Sequence, residues 1–370
     1  MTLHAAGVPK ASPDRNQLAG PGAPPRLLIV DDSAVARAVL SRMIAADAHF
    51  EIVAQAATAH DALKALEAHR VDIILLDLEM PGTSGLDALP QILEAGEGAR
   101  VLIVSSNCED GAEAAVRALA LGAADTLPKP GSGNFMGSFA KVLTERLMKV
   151  GRAAKDGTER AEEMAARAHL RPIPVGVPRC IGLGASTGGL HALNEFFGSL
   201  PQAIQVPILI TQHLPPEFMP FFARQIASAA GRPATIAVHG QCVMPGDILV
   251  APGDAHLGLR RKGEQVIVDL VTKPSGSGCI PSVDVMIAAM ADCYGAEAFA
   301  VLLSGMGRDG LAGSTALVEQ GGAVFAQDEH GSAVWGMPGA VARAGLASAI
   351  LTPSQIAACL AAGIAGKPWK

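Results

Sequence analysis

Residues 27–33 read Leu-Leu-Ile-Val-Asp-Asp-Ser, four apolar side chains closing on two carboxylates. A short unbroken apolar run of this kind suits a strand buried on both faces, the usual state in a parallel sheet. Similar runs follow at Ile52–Ala54, Ile73–Leu76, Val101–Val104 and roughly Ala123–Leu127. Helical patterns fill the intervals, at Ala34–Ala46, His60–His69, Gly85–Leu93 and Gly111–Leu121, with a last helix expected over Phe135–Lys149. Strands alternating with helices predict an α/β unit, a parallel sheet covered on both faces, over residues 26–149.

The ends of these strands carry the chemistry. The first closes on Asp31-Asp32, the third on Asp77 and the fourth on Ser105-Ser106, and Lys129-Pro130 follows the fifth. In an open parallel sheet the carboxyl ends of the strands meet at the ligand crevice, so residues distant in sequence converge there. Three neighbouring carboxylates repel one another unless a cation is present. Oxygen-rich acidic clusters with room for water suit Mg²⁺, so Asp31, Asp32 and Asp77 are its expected ligands. Asp77 is then a nucleophile forming an aspartyl phosphate, with Ser105 and Lys129 reading the phosphoryl oxygens. Taken singly, each aspartate would be an ordinary exposed strand end; the ordered set argues for a site.

Outside this unit the pattern changes. Residues 1–25, rich in Pro, Gly and Ala and without periodicity, are expected to be a disordered extension. Residues 150–178 run from charged to Pro-rich and are expected to be a linker. A second α/β unit is expected over 179–370, with strands at Cys180–Leu183, Pro207–Thr211, Asp247–Ala251, Gln265–Leu270, Ala298–Ser304 and Ala323–Ala326. Its helices are expected at Gly189–Phe197, Pro216–Ala230, Val283–Tyr294, Gly310–Gln320 and Ala340–Ala344, and the segment at 265–270 looks like half of a hairpin in a mixed sheet.

Composition excludes several functions. With 370 residues, 49% hydrophobic and 17% charged, the chain has enough apolar surface for two cores. A net charge of -6 gives no basic face for nucleic acid. The acidity concentrates in 26–149, where 11 Lys+Arg meet 17 Asp+Glu, against 11 and 13 in 179–370. The six cysteines include no C-x-x-C pair, which fits a reducing compartment. No apolar run approaches the ~20 residues of a membrane span and no secretory h-region is evident, so a cytoplasmic location without membrane insertion is expected.

Residues 180–189 read Cys-Ile-Gly-Leu-Gly-Ala-Ser-Thr-Gly-Gly. The segment admits three readings. As a dinucleotide loop it lacks the third glycine, since Thr187 stands there. As a structural turn, Ser186 merely caps a helix. As a G-x-S-x-G elbow, Gly184 to Gly188 lift the Ser186 hydroxyl above the sheet, beside free N–H groups that can hold an oxyanion. A serine needs a base, and His213, just past the apolar strand at 207–212, is the best placed histidine, with His256 in reserve. Asp309, in a Gly-rich loop after another strand, is the leading orienting acid, with Asp284 and Asp328 as rivals. The order Ser, His, Asp differs from the Ser, Asp, His of α/β-hydrolases.

Two resemblances sharpen these readings. Residues 26–149, through Val-Asp-Asp-Ser at 30–33, Leu-Asp-Leu-Glu-Met-Pro at 76–81, Ser105 and Lys-Pro at 129–130, resemble a two-component receiver domain, which implies a flavodoxin-like fold, Asp77 as phosphoacceptor and Mg²⁺ at Asp31, Asp32 and Asp77. Receivers often have an aromatic residue where Thr126 stands, so an aromatic rotamer switch is not implied. Residues 180–350 resemble the catalytic domain of the CheB family of chemotaxis protein-glutamate methylesterases and glutamine deamidases. The motifs are Gly-Ala-Ser-Thr-Gly-Gly at 184–189, Thr-Gln-His at 211–213, Ala-Pro-Gly-Asp-Ala-His at 251–256, Pro-Ser-Val-Asp at 281–284, Ser-Gly-Met-Gly-Arg-Asp-Gly at 304–310 and Ala-Gln-Asp-Glu at 326–329.

The resemblance implies a doubly wound, mainly parallel hydrolase domain with Ser186 as nucleophile, His213 as base and Asp309 as orienting acid. Thr187 and the backbone at Met306 are implied near the oxyanion and substrate. It implies phosphorylation-controlled hydrolysis of glutamyl methyl esters on the cytoplasmic domains of chemoreceptors, and glutamine deamidation by the same chemistry. A chemotaxis histidine kinase is the implied phosphoryl donor, and no cofactor is implied for hydrolysis. Ile280 replaces a basic residue usual in the family, and Met219 replaces a common Thr. The competing class of function is an adaptor that binds partners without catalysis, which would have no need of all three triad residues.

Overall fold

A computed structural model describes residues 23–46, 49–105, 109–129, 136–155, 170–174 and 176–369. The expectation for residues 1–25 therefore falls almost wholly outside the described residues, as do Ser106, Pro130 and much of the expected linker.

The first unit alternates strictly: β1 (Arg26–Val30), α1 (Ala34–Ala45), β2 (Glu51–Ala56), α2 (Ala59–Ala68), β3 (Ile73–Leu76), α3 (Gly85–Ala95), β4 (Arg100–Ser105), α4 (Glu109–Leu121), β5 (Asp125–Pro128) and α5 (Met136–Lys155). All strands are parallel, in the order β2-β1-β3-β4-β5. Leu27–Val30 and Ile73–Leu76 are buried throughout, as unbroken apolar runs require. Ser33, Thr58 and Ser84 cap α1, α2 and α3 by accepting backbone N–H groups. α5 runs on to Lys155, past the point where the linker was expected to begin.

The second unit contains β6 (Cys180–Ala185), α6 (Gly189–Ser199), β7 (Ile208–Gln212), a 3₁₀ turn at Pro216–Phe218, α7 (Met219–Ala230), β8 (Thr235–Ile236) and β9 (Ile248–Val250). Then come β10 (His256–Lys262), β11 (Gln265–Val271), α8 (Val283–Tyr294), β12 (Ala298–Leu302), α9 (Leu311–Glu319), β13 (Ala323–Gln327), α10 (Met337–Arg343), β14 (Ala349–Leu351) and α11 (Pro353–Ile364). Seven strands form one wholly parallel sheet, β14-β13-β12-β6-β7-β9-β8. The expected mixed sheet is corrected: β11 pairs antiparallel with β10 in a separate hairpin packed against α8. The expected helix at Ala340–Ala344 begins earlier, at Met337, with Pro338 in its first turn. β8, β14 and α11 were not anticipated, the two strands because they are too short to show a period.

The sheet order explains where a site can form. The chain winds outward from β6 toward β7 and from β12 toward β13, so the carboxyl ends of β6 and β12 flank a topological switch point. In the first unit the corresponding point lies between β1 and β3. The two units also pack on each other. α4 lies against α6, the 3₁₀ turn and α7, and apolar side chains of both units join one contiguous core cluster.

Candidate functional site

Ser186 follows β6 directly and is half-buried. Gly188 (φ 74°) takes the left-handed conformation that turns the chain from strand into α6. A Cβ on Gly188 would lie 2.3 Å from Ala333 Cβ, so the position needs glycine for space as well as for φ. Gly305 also approaches the elbow: a Cβ there would sit 3.0 Å from Ser186 Cβ. The elbow is fixed by Ser186 N–H donating to Ser304 O (3.0 Å) and Gln212 Nε2 donating to Ser186 O (2.8 Å). Gly182 and Gly184 do not face a phosphate crevice. Cβ atoms on them would strike Met290 Sδ (2.5 Å) and Val283 Cγ1 (2.3 Å), so these glycines let α8 lie close on the sheet. That contact removes the physical basis of the dinucleotide reading.

His213 follows β7, its backbone N–H donating to Ala185 O (3.2 Å), which fixes it beside the elbow. Its Nε2 lies 2.8 Å from Asp309 Oδ2. Asp309 is buried in the loop after β12. Its two oxygens also accept Ser282 Oγ (2.8 Å), Val283 N–H (2.7 Å) and Asp284 N–H (3.1 Å). Burial alone would push the Asp309 carboxyl up, but His213 and these donors outweigh it and hold the carboxyl well below its ordinary value. Burial acts to lower the His213 imidazole, yet the bond to Asp309 and the nearby Cys279 outweigh it, and its pKa is pushed up to about 9. Ser186, His213 and Asp309 thus stand at the ends of β6, β7 and β12, around one switch point.

The rivals serve other ends. His256 is fully buried, its Nδ1 accepting Ser282 N–H (2.9 Å) and its Nε2 donating to Lys273 O (2.9 Å). It holds the Ser282 loop and faces no reacting group. Asp284 Oδ1 accepts Gly313 N–H (2.8 Å) at α9, and Asp328 Oδ2 accepts Gly331 N–H (2.9 Å) within its own loop. Sequence reasoning missed Ser282; the Pro-Ser-Val-Asp motif was noticed, but no local pattern says that its hydroxyl reaches Asp309.

Thr187 is buried, and what buries it is the first unit. Its Oγ1 donates to Asp125 Oδ2 (3.0 Å), and the Gly188 N–H donates to Ala124 O (2.7 Å). Met306 is half-buried and follows Gly305, the residue that approaches Ser186. Neither Thr187 N–H nor Met306 N–H donates to a backbone carbonyl among the described residues. Of the two departures from the family pattern, Met219 is buried at the start of α7, whereas Ile280 is 47% exposed.

In the first unit Asp31 and Asp77 are buried and Asp32 is exposed at the end of β1 and β3. Lys129 Nζ lies 2.7 Å from Asp77 Oδ2 and 3.1 Å from Asp31 Oδ2. Burial pushes the Asp77 carboxyl up in spite of Lys129, and the two carboxylates hold the Lys129 ammonium up in spite of its own burial. One oxygen of each of Asp31, Asp32 and Asp77 lies within 4.8 Å of the others, and among the described residues the buried Asp31 Oδ2 is met by Lys129 alone, at ion-pair distance. One lysine therefore leaves the cluster short of positive charge, and the donor set fits Mg²⁺. Ser105 ends β4, but its side chain is outside the described residues. Thr126 is buried in β5, filling the place of the aromatic residue common in receivers. No described helix is long and apolar enough to cross a membrane.

A family model described as response regulator receiver domain matches residues 27–137, and one described as CheB methylesterase matches residues 181–360. A protein-glutamate methylesterase/protein-glutamine glutaminase 1 of Paramagnetospirillum magneticum is 36% identical over 358 residues, covering 90% of this chain and 94% of the relative. A protein-glutamate methylesterase/protein-glutamine glutaminase 2 of Caulobacter vibrioides is 41% identical over 335 residues, covering 90% and 96%. The crystal structure of the Thermotoga maritima CheB methylesterase catalytic domain is 32% identical, covers 50% of this chain and 98% of that chain, and has a TM-score of 0.48. With relatives of this identity spanning nine-tenths of its length, and a receiver segment ahead of the catalytic one, the chain belongs to the CheB methylesterase family.

Proposed function

We propose that the chain hydrolyses glutamyl methyl esters on the cytoplasmic domains of chemoreceptors, under control of phosphorylation by a chemotaxis histidine kinase. The single observation that carries the catalytic part is the 2.8 Å contact of His213 Nε2 with Asp309 Oδ2, at strand ends flanking Ser186. The imidazole is anchored through one nitrogen, which leaves Nδ1 to take the Ser186 proton. Ser186 Oγ attacks the ester carbonyl. The N–H groups of Thr187 and Met306 are the candidates to hold the oxyanion. His213 returns its proton to the departing methoxide, methanol leaves, and a water deprotonated by His213 releases the acyl group as free glutamate. The same steps acting on a glutamine amide release ammonia, so deamidation needs no further residue. The relatives' names, which couple methylesterase with glutaminase, support this breadth.

Control rests on the other site. Asp77 is the phosphoacceptor, with Ser105 and Lys129 reading the phosphoryl group, and Asp31, Asp32 and Asp77 would hold Mg²⁺. When bound, the ion supplies positive charge to a cluster that is short of it. Lys129 immediately follows β5, whose first residue, Asp125, holds Thr187. A phosphoryl group that draws Lys129 away from Asp31 and Asp77 thus acts on the strand that covers the elbow, and shifts a two-state domain arrangement toward the uncovered form. The functional division is residues 26–149 as receiver and 179–370 as catalytic domain, joined through 150–178, in a cytoplasmic protein.

The test uses the full chain and membranes carrying methyl-labelled receptors. Ser186→Ala should abolish methanol release. Undiminished release by that variant would overturn the assignment of the nucleophile.

A further inference from the structure

The His213–Asp309 pair has a third neighbour that the hydrolytic mechanism does not use. Cys279 is a free, half-exposed thiol, and its sulfur, an imidazole nitrogen of His213 and a carboxylate oxygen of Asp309 all lie within 4.8 Å of one another. The thiol is held there by a hydrogen-bonded loop. Cys279 N–H donates to Ser277 Oγ (3.3 Å) and Cys279 O accepts Ser275 Oγ (3.0 Å). Ser282, three residues on, is anchored to His256 and to Asp309.

We propose that Cys279, His213 and Asp309 form a three-ligand binding site for a borderline-soft divalent cation, Zn²⁺ being the best fit, and that occupation of this site switches the hydrolase off. The inference rests on the hydrolase reading only for its consequence, not for the binding itself. One sulfur, one nitrogen and one oxygen donor match the ligands zinc takes at about 2.0–2.3 Å, and three protein ligands with a solvent-facing fourth position are the usual open arrangement. A thiolate selects zinc over magnesium and calcium, so cations suited to the aspartates of the receiver do not compete here. Little movement is required, because the donors already sit close together and Asp309 keeps its bonds from Ser282, Val283 and Asp284.

Inhibition follows from proton accounting. Binding releases the thiol proton to solvent, and with it one ring proton when the imidazole starts as imidazolium. A ligated imidazole then has one nitrogen on the metal and its remaining proton on the other. Neither nitrogen can accept the Ser186 proton, whichever of the two the ion takes.

The test uses the full chain with excess Mg²⁺, so that the receiver aspartates are occupied. Adding Co²⁺ as a spectroscopic stand-in should produce a thiolate-to-cobalt charge-transfer band, which Zn²⁺ then bleaches by displacement. Cys279→Ser should lack that band, and Ser186→Ala should keep it. In parallel, Zn²⁺ should inhibit methanol release from methylated receptor membranes, with the half-inhibitory concentration at least tenfold higher for Cys279→Ser, each rate being taken relative to that protein's own rate in chelator. The inference is overturned if the unmodified chain gives no thiolate band, or if Cys279→Ser gives the same band or the same sensitivity to Zn²⁺. An unmodified chain that binds Co²⁺ through sulfur yet releases no methanol in chelator would instead overturn the hydrolase reading.

Discussion

Asp125 Oδ2 accepts a 3.0 Å hydrogen bond from Thr187 Oγ1, joining the first residue of β5 to the residue after the candidate nucleophile. The same oxygen lies 2.5 Å from Arg146 Nη1 on α5, and Asp125 Oδ1 accepts the Thr126 N–H at 2.8 Å. The carboxylate is therefore fixed within its own domain before it touches Thr187. A hydrogen bond to a charged group is worth about 1.5–3 kcal/mol, roughly a 10- to 100-fold shift in an equilibrium. Asp125→Ala should therefore raise the initial rate of methanol release without a phosphoryl donor and shrink the stimulation that the donor gives. A basal rate that does not move would show that the contact contributes nothing to covering the elbow.

Asp77→Asn should keep the fold and lose the switch. The substitution removes one of two buried carboxylates beside Lys129, so the remaining Lys129–Asp31 pair still balances charge. An amide cannot form an aspartyl phosphate. Incubation with a labelled small phosphoryl donor should leave the variant unlabelled and its hydrolytic rate unchanged. Retained labelling would move the phosphoacceptor to another residue.

The pH profile should report His213. A general base acts only when unprotonated, so the rate rises with pH through the pKa of the folded state. With that pKa raised to about 9, measurements in chelator should show the rate still climbing above neutrality. Asp309→Asn weakens the largest single interaction holding the pKa up, its bond to the imidazole, so the inflection should move to lower pH. The turnover number of that variant should drop by about four orders of magnitude, as loss of the orienting carboxylate does in Ser-His-Asp triads. A profile that is flat from pH 6 to 9, units set by the reference values of histidine and its neighbours, would separate His213 from the rate-limiting proton transfer.

Ser282 should act as a positioning residue. It donates to Asp309 and takes its own position from His256. Ser282→Ala should lower the turnover number by about 10- to 100-fold with little change in KM, because the lost bond is to a charged acceptor and touches no substrate. The pH profile should shift with it. A change confined to KM would place Ser282 in the substrate groove instead.

Gly184→Ala should test the packing role of the glycine-rich strand. The added Cβ would sit 2.3 Å from Val283 Cγ1, with Leu302 Cδ1 at 3.3 Å, in a buried layer. Overpacking of this kind costs about 1–3 kcal/mol. Thermal unfolding should shift downward by several degrees, about 2–4 °C per kcal/mol in a domain of this size. An unshifted transition would mean that α8 does not rest on Gly184.

Much of the architecture was legible because buried parallel strands carry their own signature. Leu27–Val30 and Ile73–Leu76 are apolar at every position, and each is bounded by carboxylates that mark its end. The mixed sheet was a wrong expectation for a physical reason: Gln265–Val271 reads as a hairpin arm, but nothing local says which sheet a hairpin joins, and this one pairs with β10 and, through an isolated bridge, with Cys242, outside the seven-stranded sheet. The glycines of β6 misled in the same way. They permit close approach, and the sequence does not say whether a phosphate or a helix approaches.

The sequence by itself determined the alternation of strands and helices, and the placing of Asp31, Asp77, Ser186 and His213 at strand ends, because period and punctuation are local properties. It also supplied every member of the proposed triad. Tertiary structure decided what each member is bonded to. It chose Asp309 over Asp284 and Asp328, turned His256 from a reserve base into a support for Ser282, and brought Cys279 beside the imidazole. It also set Asp125 of one unit against Thr187 of the other, 62 positions away. Such contacts arise from the order in which strands are wound into a sheet and from how two sheets' helices pack, and no residue encodes either alone.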